Sequence, residues 1–176
     1  MKTLILTVLL SSVCAFASPE LQTVSYVDLD RYVGKWYEIS RYANRFQREC
    51  AGTTAEYTRN GSYIEVKNSC QKISNTSEVQ VANGYATVAD HETFSKLKVS
   101  FVPYFGRFGW FAGQYWIIEL GENYDYVVIG EPKRKFLWIL SRTKTLPKEL
   151  YDELIQKLET NHHYDTSKLL RTPTWL

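Results

Sequence analysis

The sequence predicts an all-β fold, an eight-stranded antiparallel up-and-down barrel with one C-terminal α-helix packed on its outside. Three observations favour this fold class. Segments rich in aromatic and β-branched residues recur from residue 34 to residue 142, joined by short links without a helical pattern. Aromatic residues make up 15% of the chain, which suits strands better than a helical bundle. A helical stripe of leucines comes only after the last of these segments.

Composition bounds the class of protein. At 176 residues and 44% hydrophobic content, the chain is long enough for one domain with its own core. A formal net charge of +2 gives no support to nucleic-acid binding. No internal repeat or interdomain linker is visible, so we expect a single domain.

The N-terminus has the features of a secretory signal peptide. Lys2 precedes an apolar run, and Ala15-Phe16-Ala17 matches the small-x-small cleavage pattern. We expect residues 1–17 to be removed, which leaves a barrel domain over residues 18–176 in a secreted or periplasmic protein. Cys14 follows a valine rather than the small residue that lipoprotein signals need, so we expect no lipid attachment.

The first strand covers residues 34–42 and is preceded by a short segment of helical character that can cap one end of a barrel. Residues 18–27 lack periodicity, and we expect a mobile lead-in. Alternation along the first strand puts Trp36, Glu38, Ser40 and Tyr42 on one face, which we place inside the barrel.

The second strand (residues 53–58) and the third (residues 63–68) flank Asn60-Gly61, a strong signal for a two-residue hairpin turn. If Arg59 pairs with Ser62, this register sets Tyr57 opposite Ile64 and Ala55 opposite Val66. Both pairs then share the inner face.

Removal of the signal peptide leaves two cysteines, Cys50 and Cys70, in a chain sent to an oxidising compartment. They are nearly opposite across the same hairpin, so we expect a disulfide between them, worth about 3 kcal/mol in the chain-entropy model. Metal binding is the competing interpretation, and two cysteines without a neighbouring histidine make it a poor one.

The remaining strands are expected over residues 78–89, 96–101, 115–120, 126–130 and 135–142. In the fourth strand, Gly84 and Ala86 leave room in the interior. The fifth strand alternates most regularly, with Leu97, Val99 and Phe101 on one side.

A helix is expected to open at Thr145-Leu146-Pro147 and to end at Asn161-His162-His163. Its apolar stripe should lie along the outside of the barrel and cover outward residues such as Ile39. A short edge strand is expected near residues 167–170.

Two segments at the ends of the strand region belong together. Gly34-x-Trp36-Tyr37-Glu38-Ile39 opens the first strand, and Leu137-Trp138-Ile139-Leu140-Ser141-Arg142 ends the last. With a degenerate middle motif at Asn123-Tyr124, they resemble the lipocalin family over about residues 28–168, and look close to its bacterial outer-membrane and apolipoprotein D branch. Gly34, Trp36 and Arg142 are then structural residues. A guanidinium stacked over the Trp36 ring would tie the first strand to the last, at up to about 2 kcal/mol; a solvated strand end is the alternative for Arg142.

The resemblance implies a small hydrophobic ligand in the barrel, a fatty acid or a lysophospholipid, and the alternating apolar strands independently support a cavity. Glu38 either contacts this ligand or hydrogen-bonds buried tyrosines such as Tyr57 or Tyr115. The expected ligand-binding residues are Glu38, Ser40, Tyr42, Ala55, Tyr57, Val66, Ala86, Leu97, Val99, Phe101 and Tyr115.

In the resembled topology, the open mouth of the barrel is formed by loops over residues 44–48, 103–113 and 131–135. These loops interleave aromatic residues with arginine and lysine, which suits an anionic head group or transient contact with a membrane surface. A hydrophobic lid or a strand extension are the alternatives for the middle loop. The expected mouth residues are Phe46, Arg107, Phe108, Trp110 and Lys133.

Few residues could carry catalysis. His91, His162 and His163 are expected to be exposed, and none has a serine or free cysteine at a catalytic spacing. We therefore expect no enzyme, no cofactor and no metal site. Two alternatives stay open: a lipid isomerase or hydrolase that uses Glu38 or a buried tyrosine as acid or base, and a protein-interaction module that uses the 103–113 loop.

Overall fold

The structure, a computed structural model, describes residues 19–102 and 112–173. The expected signal peptide lies outside the described residues, and so do the expected mouth residues Arg107, Phe108 and Trp110. The elements in chain order are α1 (Leu29–Tyr32), β1 (Gly34–Tyr42), β2 (Cys50–Asn60), β3 (Tyr63–Lys72), β4 (Asn75–Val88), β5 (Lys96–Ser100), β6 (Gly113–Leu120), β7 (Tyr126–Gly130), β8 (Leu137–Ser141), α2 (Lys148–Thr160), a 3-10 turn (Thr166–Lys168) and β9 (Leu169–Arg171).

Each strand from β1 to β7 pairs antiparallel with the next one in the chain, and β1 also pairs with β8, so the eight strands close into a barrel. The first part of β1, Gly34 to Tyr37, pairs with β2 near the closed end of the barrel. Its last part, Ser40 to Tyr42, pairs with β9 near the open end. The predicted barrel with an external C-terminal helix is therefore confirmed, with β9 as an additional strand.

The end of the barrel beneath α1 is closed by Arg142. Its Cζ lies 3.7 Å from the centroid of the Trp36 ring, which is fully buried. The guanidinium also donates hydrogen bonds to the backbone carbonyls of Arg31, Tyr32, Lys35 and Tyr124, at 2.7 to 3.2 Å. The predicted stack is present, and one cation also satisfies the carbonyls left free where α1 ends and β1 begins.

Gly34 permits this arrangement. Its φ of +95° lies in the left-handed region, and an added Cβ would lie 3.4 Å from Arg142 Nη1. Any other residue here would strain the backbone, because side chains rarely adopt this φ, and this accounts for glycine at the start of β1.

Substituting Arg142→Ala is expected to lower the free energy of unfolding by about 2–3 kcal/mol, because the stack and the partly buried carbonyl contacts are lost together. Arg59→Ala is the matched control, since Arg59 pairs with Asp30 at 2.6 Å with both side chains half-exposed or more. An exposed pair of this kind contributes at most about 1 kcal/mol. Urea denaturation of both variants measures the difference; equal midpoints would contradict the role given to Arg142.

The β2–β3 hairpin differs from the prediction in its register. Asn60 pairs with Tyr63, so the two loop residues are Gly61 and Ser62, with Gly61 at a φ of +58°. Glycine thus takes the first loop position, where a positive φ is needed. The predicted partners are wrong by two residues: Tyr57 lies opposite Val66 rather than Ile64, and Ala55 opposite Asn68 rather than Val66. Because two is an even shift, every side chain stays on its predicted face.

The predicted disulfide between Cys50 and Cys70 is confirmed, with a Cα–Cα distance of 5.3 Å. Cys50 lies opposite Lys72, so the bridge runs diagonally across the two strands. A β-bulge between Ala51 and Thr54 places one extra residue in β2 relative to β3, and Gly52 adopts a φ of +50° there.

A second bulge, in β1, overturns part of the predicted interior. The register of β1 against β8 shifts between Glu38 and Ser40, so the alternation changes phase. The placement of Ser40 and Tyr42 inside the barrel is therefore wrong. The Ser40 hydroxyl lies 3.0 Å from the Tyr151 hydroxyl on α2, and Tyr42 packs in the core between barrel and helix. Arg41, one residue after the inner position that regular alternation gives to Ser40, faces inward opposite Trp138.

Helix α2 lies along the outside of the barrel, as predicted. Leu154 and Leu158 are fully buried against outward residues of the barrel that include Ile39 and Ile139. Within the described residues, no helix is long and apolar enough to cross a membrane.

The lead-in is packed rather than loose, so the expectation of a mobile segment is wrong for residues 19–27. The Val24 amide donates to the Ile117 carbonyl at 3.0 Å, and the Val27 amide donates to the Thr93 carbonyl at 2.8 Å. Val27 is fully buried in the interior core because it helps α1 to cover the closed end.

Candidate functional site

The interior of the barrel is the candidate site, and its wall is mainly apolar. Side chains from all eight barrel strands meet there in one cluster that includes Trp36, Ala55, Val66, Ala86, Leu97, Ile117, Ile129 and Leu140. A wall of this composition can receive an acyl chain but offers few groups for catalysis.

Three tyrosines form a polar layer near the closed end. The Tyr115 hydroxyl lies 2.6 Å from the Tyr32 hydroxyl and 2.9 Å from that of Tyr57. Burial raises the pKa of Tyr57 to about 12 and raises the pKa values of Tyr32 and Tyr115 well above their ordinary value. The three hydroxyls therefore stay neutral at physiological pH.

A charged layer lies toward the open end, where Arg41 meets Glu38. Arg41 Nη1 lies 2.6 Å from Glu38 Oε1, and the side chains are only 7% and 3% exposed. The Thr172 hydroxyl from the segment after β9 donates to the same carboxylate oxygen at 2.6 Å. Arg41 Nη2 donates to the carbonyls of Gln47 and Cys50. The charges are thus compensated by each other and by hydrogen bonds, as a buried pair requires.

Gln47 connects this charged layer to the β1–β2 loop. Its side-chain amide donates to Glu38 Oε2 at 2.6 Å, and its oxygen accepts from Trp138 Nε1 at 3.1 Å and from Asn44 Nδ2 at 2.7 Å. Trp138 in turn stacks on Phe136, with ring centroids 5.7 Å apart and planes 7° apart. Glu38 therefore pairs with Arg41, Gln47 and Thr172, and the alternative partners Tyr57 and Tyr115 bond to each other instead.

The described part of the mouth is basic and aromatic. Phe46 is 65% exposed, and the Arg45 guanidinium lies 4.9 Å from its ring centroid. Lys133 and Lys135 are exposed on the β7–β8 loop, whose backbone is held by the buried Glu131 carboxylate through both lysine amides. Exposed cations beside apolar rings suit an anionic head group.

Most of the sequence-predicted wall residues converge on the interior. The interior cluster contains Ala55, Tyr57, Val66, Ala86 and Leu97, with Val99 and Tyr115 packed against it. Phe101 follows β5 and is 43% exposed, with its ring against Gly84 at the open end. The role of these residues as ligand contacts stays a prediction.

Sequence reasoning missed the inward position of Arg41 and the bonds of Gln47 to Glu38 and Trp138. Regular alternation had put Arg41 on the outer face. No local signal marks a bulge, although an unpaired inward Glu38 was itself a hint that a cation had to lie nearby.

The expectation that all three histidines are exposed is wrong for His162, which is 5% exposed. Its Nε2 lies 2.8 Å from Glu119 Oε1, between the end of α2 and β6. Among residues 19–102 and 112–173, no cluster of three or more histidine, cysteine, aspartate or glutamate side chains could hold a metal ion.

Comparison with known proteins matches residues 27–174 to the lipocalin-like domain. Temperature-induced lipocalin-1 of Arabidopsis thaliana is 37% identical over 158 residues, 88% of this chain and 83% of that protein. Outer membrane lipoprotein Blc of Vibrio cholerae is 36% identical over 169 residues, 95% of this chain and 94% of that protein. Apolipoprotein D of Macaca fascicularis is 28% identical over 154 residues, 82% of this chain and 76% of that protein.

Solved structures agree on the fold. Insecticyanin from the tobacco hornworm Manduca sexta superposes with a TM-score of 0.66 at 20% identity, over 89% of this chain and 85% of that one. Apocrustacyanin C2 superposes with a TM-score of 0.64 at 18% identity, over 84% and 79% of the two chains.

Proposed function

The chain belongs to the lipocalin family, whose members typically bind small hydrophobic ligands, and from that premise we propose that it carries a fatty acid or a lysophospholipid inside the barrel. One observation carries the proposal: an apolar wall lies between a layer of neutral tyrosines and a charged layer, and the mouth of the barrel is basic. A chain of methylene groups fits the wall, and each buried methylene contributes about 0.8 kcal/mol.

The head group of this ligand lies at the mouth. Arg41 is already paired with Glu38, so the cations left to meet an anion include the exposed Arg45 and Lys133. Phe46 beside Arg45 offers an apolar ring to the glycerol or the first methylenes, and transient contact with a membrane surface is proposed through the same residues.

Substituting Arg45→Ala and Lys133→Ala together is expected to weaken the binding of a fluorescent fatty acid several-fold, because positive charge near the head group is removed. Its uncharged alcohol analogue should bind as before, since no wall area changes. The matched control removes two exposed lysines from the outside of the barrel, Lys67→Ala with Lys98→Ala. Equal losses for acid and alcohol, or equal losses in the control, would contradict the proposed orientation.

Native mass spectrometry of the protein purified from its own host tests the carrier function. We expect a co-purifying lipid that is released by organic solvent, and a persistently empty barrel would contradict carriage. In the same spectrum, the mass of the polypeptide shows whether the expected signal peptide, residues 1–17, has been removed, as export requires. We propose a secreted or periplasmic protein; the Vibrio cholerae relative is named an outer membrane lipoprotein.

The enzyme alternative has less support. The relatives are lipocalins, generally binding proteins rather than enzymes. Glu38, the proposed acid or base, accepts hydrogen bonds from Arg41, Gln47 and Thr172. A carboxylate engaged in this way is poorly placed to take a proton from a lipid. The protein-interaction alternative depends on the 103–113 loop, most of which lies outside the described residues.

A further inference from the structure

Two buried oxygen atoms on neighbouring strands have no hydrogen-bond partner. They are Thr53 Oγ1 on β2 and Asn68 Oδ1 on β3, and Thr53 as a whole is only 6% exposed. A buried polar atom without a partner costs free energy, so a pair of them on adjacent strands calls for a group that satisfies both.

Strand register directs both side chains into the barrel. Asn68 lies opposite Ala55, which also lies opposite Trp36, and both Ala55 and Trp36 belong to the interior cluster. Side chains directly opposite in an antiparallel pair share a face, so Asn68 faces inward. Thr53 lies at the edge of the β-bulge, directly before Thr54, where regular pairing resumes, and alternation counted back from Thr54 and Ala55 puts it on the face of Ala55.

The two atoms are complementary to one kind of group. Asn68 Oδ1 only accepts a hydrogen bond, whereas the threonine hydroxyl can donate one. A ligand hydroxyl can donate to Asn68 and accept from Thr53 at the same time. A carboxylate can accept from Thr53 but has no proton for Asn68, and a methylene satisfies neither.

We propose that Thr53 and Asn68 form a hydroxyl-binding subsite in the barrel wall, which selects hydroxyl-bearing lipids over plain fatty acids. This inference rests on the proposed carrier function and narrows its ligand class. The hydroxyl can come from the glycerol of a lysophospholipid or from a hydroxylated acyl chain. Both sources supply the same donor and acceptor.

Two ligand pairs, titrated by displacement of a fluorescent fatty acid, test the subsite. One is oleoyl lysophosphatidic acid with the analogue that lacks the free glycerol hydroxyl, and the other is ricinoleic acid with oleic acid. In the wild type, the hydroxylated member of at least one pair should bind about tenfold more tightly. The pair that shows the preference identifies the source of the hydroxyl.

Thr53→Val and Asn68→Leu remove the polar atoms with little change of shape and should each abolish that preference. Thr58→Val, the same change at an exposed outward position of β2, should keep it. Neither inward variant should lower the midpoint of urea denaturation, because the replaced atoms have no partner in the ligand-free protein. A purely structural role for Thr53 or Asn68 would instead destabilise the protein and leave the preference unchanged.

Failure of the subsite and failure of carriage are distinguishable. If all four lipids bind equally well in wild type and variants, the subsite is wrong and the carrier function stands. A preference that survives in both inward variants also rejects the subsite. If none of the four lipids displaces the fluorescent fatty acid, the carrier function itself is contradicted, and the subsite is contradicted as well.

Discussion

Replacing Arg41 with methionine is expected to lower the free energy of unfolding by about 3–5 kcal/mol, because it leaves the Glu38 carboxylate buried without its cation. Methionine keeps most of the aliphatic stem, so the loss reports on charge rather than packing. The network that depends on Arg41 joins β1 to Gln47 in the β1–β2 loop, to Cys50 at the start of β2 and to Thr172 after β9. We therefore expect the strands at the open end of the barrel to lose their structure first during denaturation.

A second substitution separates the charge from its surroundings. Adding Glu38→Gln to Arg41→Met removes the uncompensated carboxylate and should restore much of the stability, by about 2 kcal/mol. Arg45→Met is the control at an exposed arginine of the same region. Urea denaturation of the four proteins gives the comparison. A single Arg41→Met variant as stable as wild type would show that the buried pair does not hold the open end together.

The Ala55→Trp substitution is expected to weaken binding of a fluorescent fatty acid at least about tenfold, because an indole occupies the space of the acyl chain. Ala55 lies on the inner face between Trp36 and Asn68, with 8% of its surface exposed. Circular dichroism and thermal unfolding confirm that the variant is folded.

Overpacking in a protein interior destabilises by about 1–3 kcal/mol, so Val99→Trp provides a second variant at a less enclosed interior position. Thr58→Trp places the same ring on the outside of β2 and should bind as wild type does. A folded Ala55→Trp or Val99→Trp protein that binds with wild-type affinity would place the ligand outside the barrel.

Much of the fold could be predicted because strands and turns are local properties of sequence. The alternation from Leu97 to Phe101 predicts a strand, and the glycine beside Asn60 predicts a turn, from a few neighbouring residues each. The disulfide could also be inferred because its two cysteines lie nearly opposite across one hairpin. The Trp36–Arg142 stack could be inferred because the first and last strands must meet if the barrel closes.

The charged layer could not be predicted because it depends on which strand lies beside the second half of β1. β9 and β8 together impose a bulge near Ser40, and that single extra residue turns Arg41 inward and Tyr42 outward. The buried His162 was missed for a similar reason. Its partner Glu119 is 43 residues away in sequence and meets it only because α2 packs on the barrel.

Intermolecular nuclear Overhauser effects between alanine methyl groups and a bound fatty acid locate the ligand most directly. Ala55 and Ala86 line the interior, whereas Ala89 is exposed at the closed end and Ala43 is exposed in the β1–β2 loop. With methyl-labelled alanine and unlabelled oleic acid, we expect cross-peaks from acyl-chain protons to Ala55 and Ala86, and none to Ala89. Cross-peaks confined to Ala43 or Ala89, with none at the two interior methyl groups, would contradict a ligand inside the barrel.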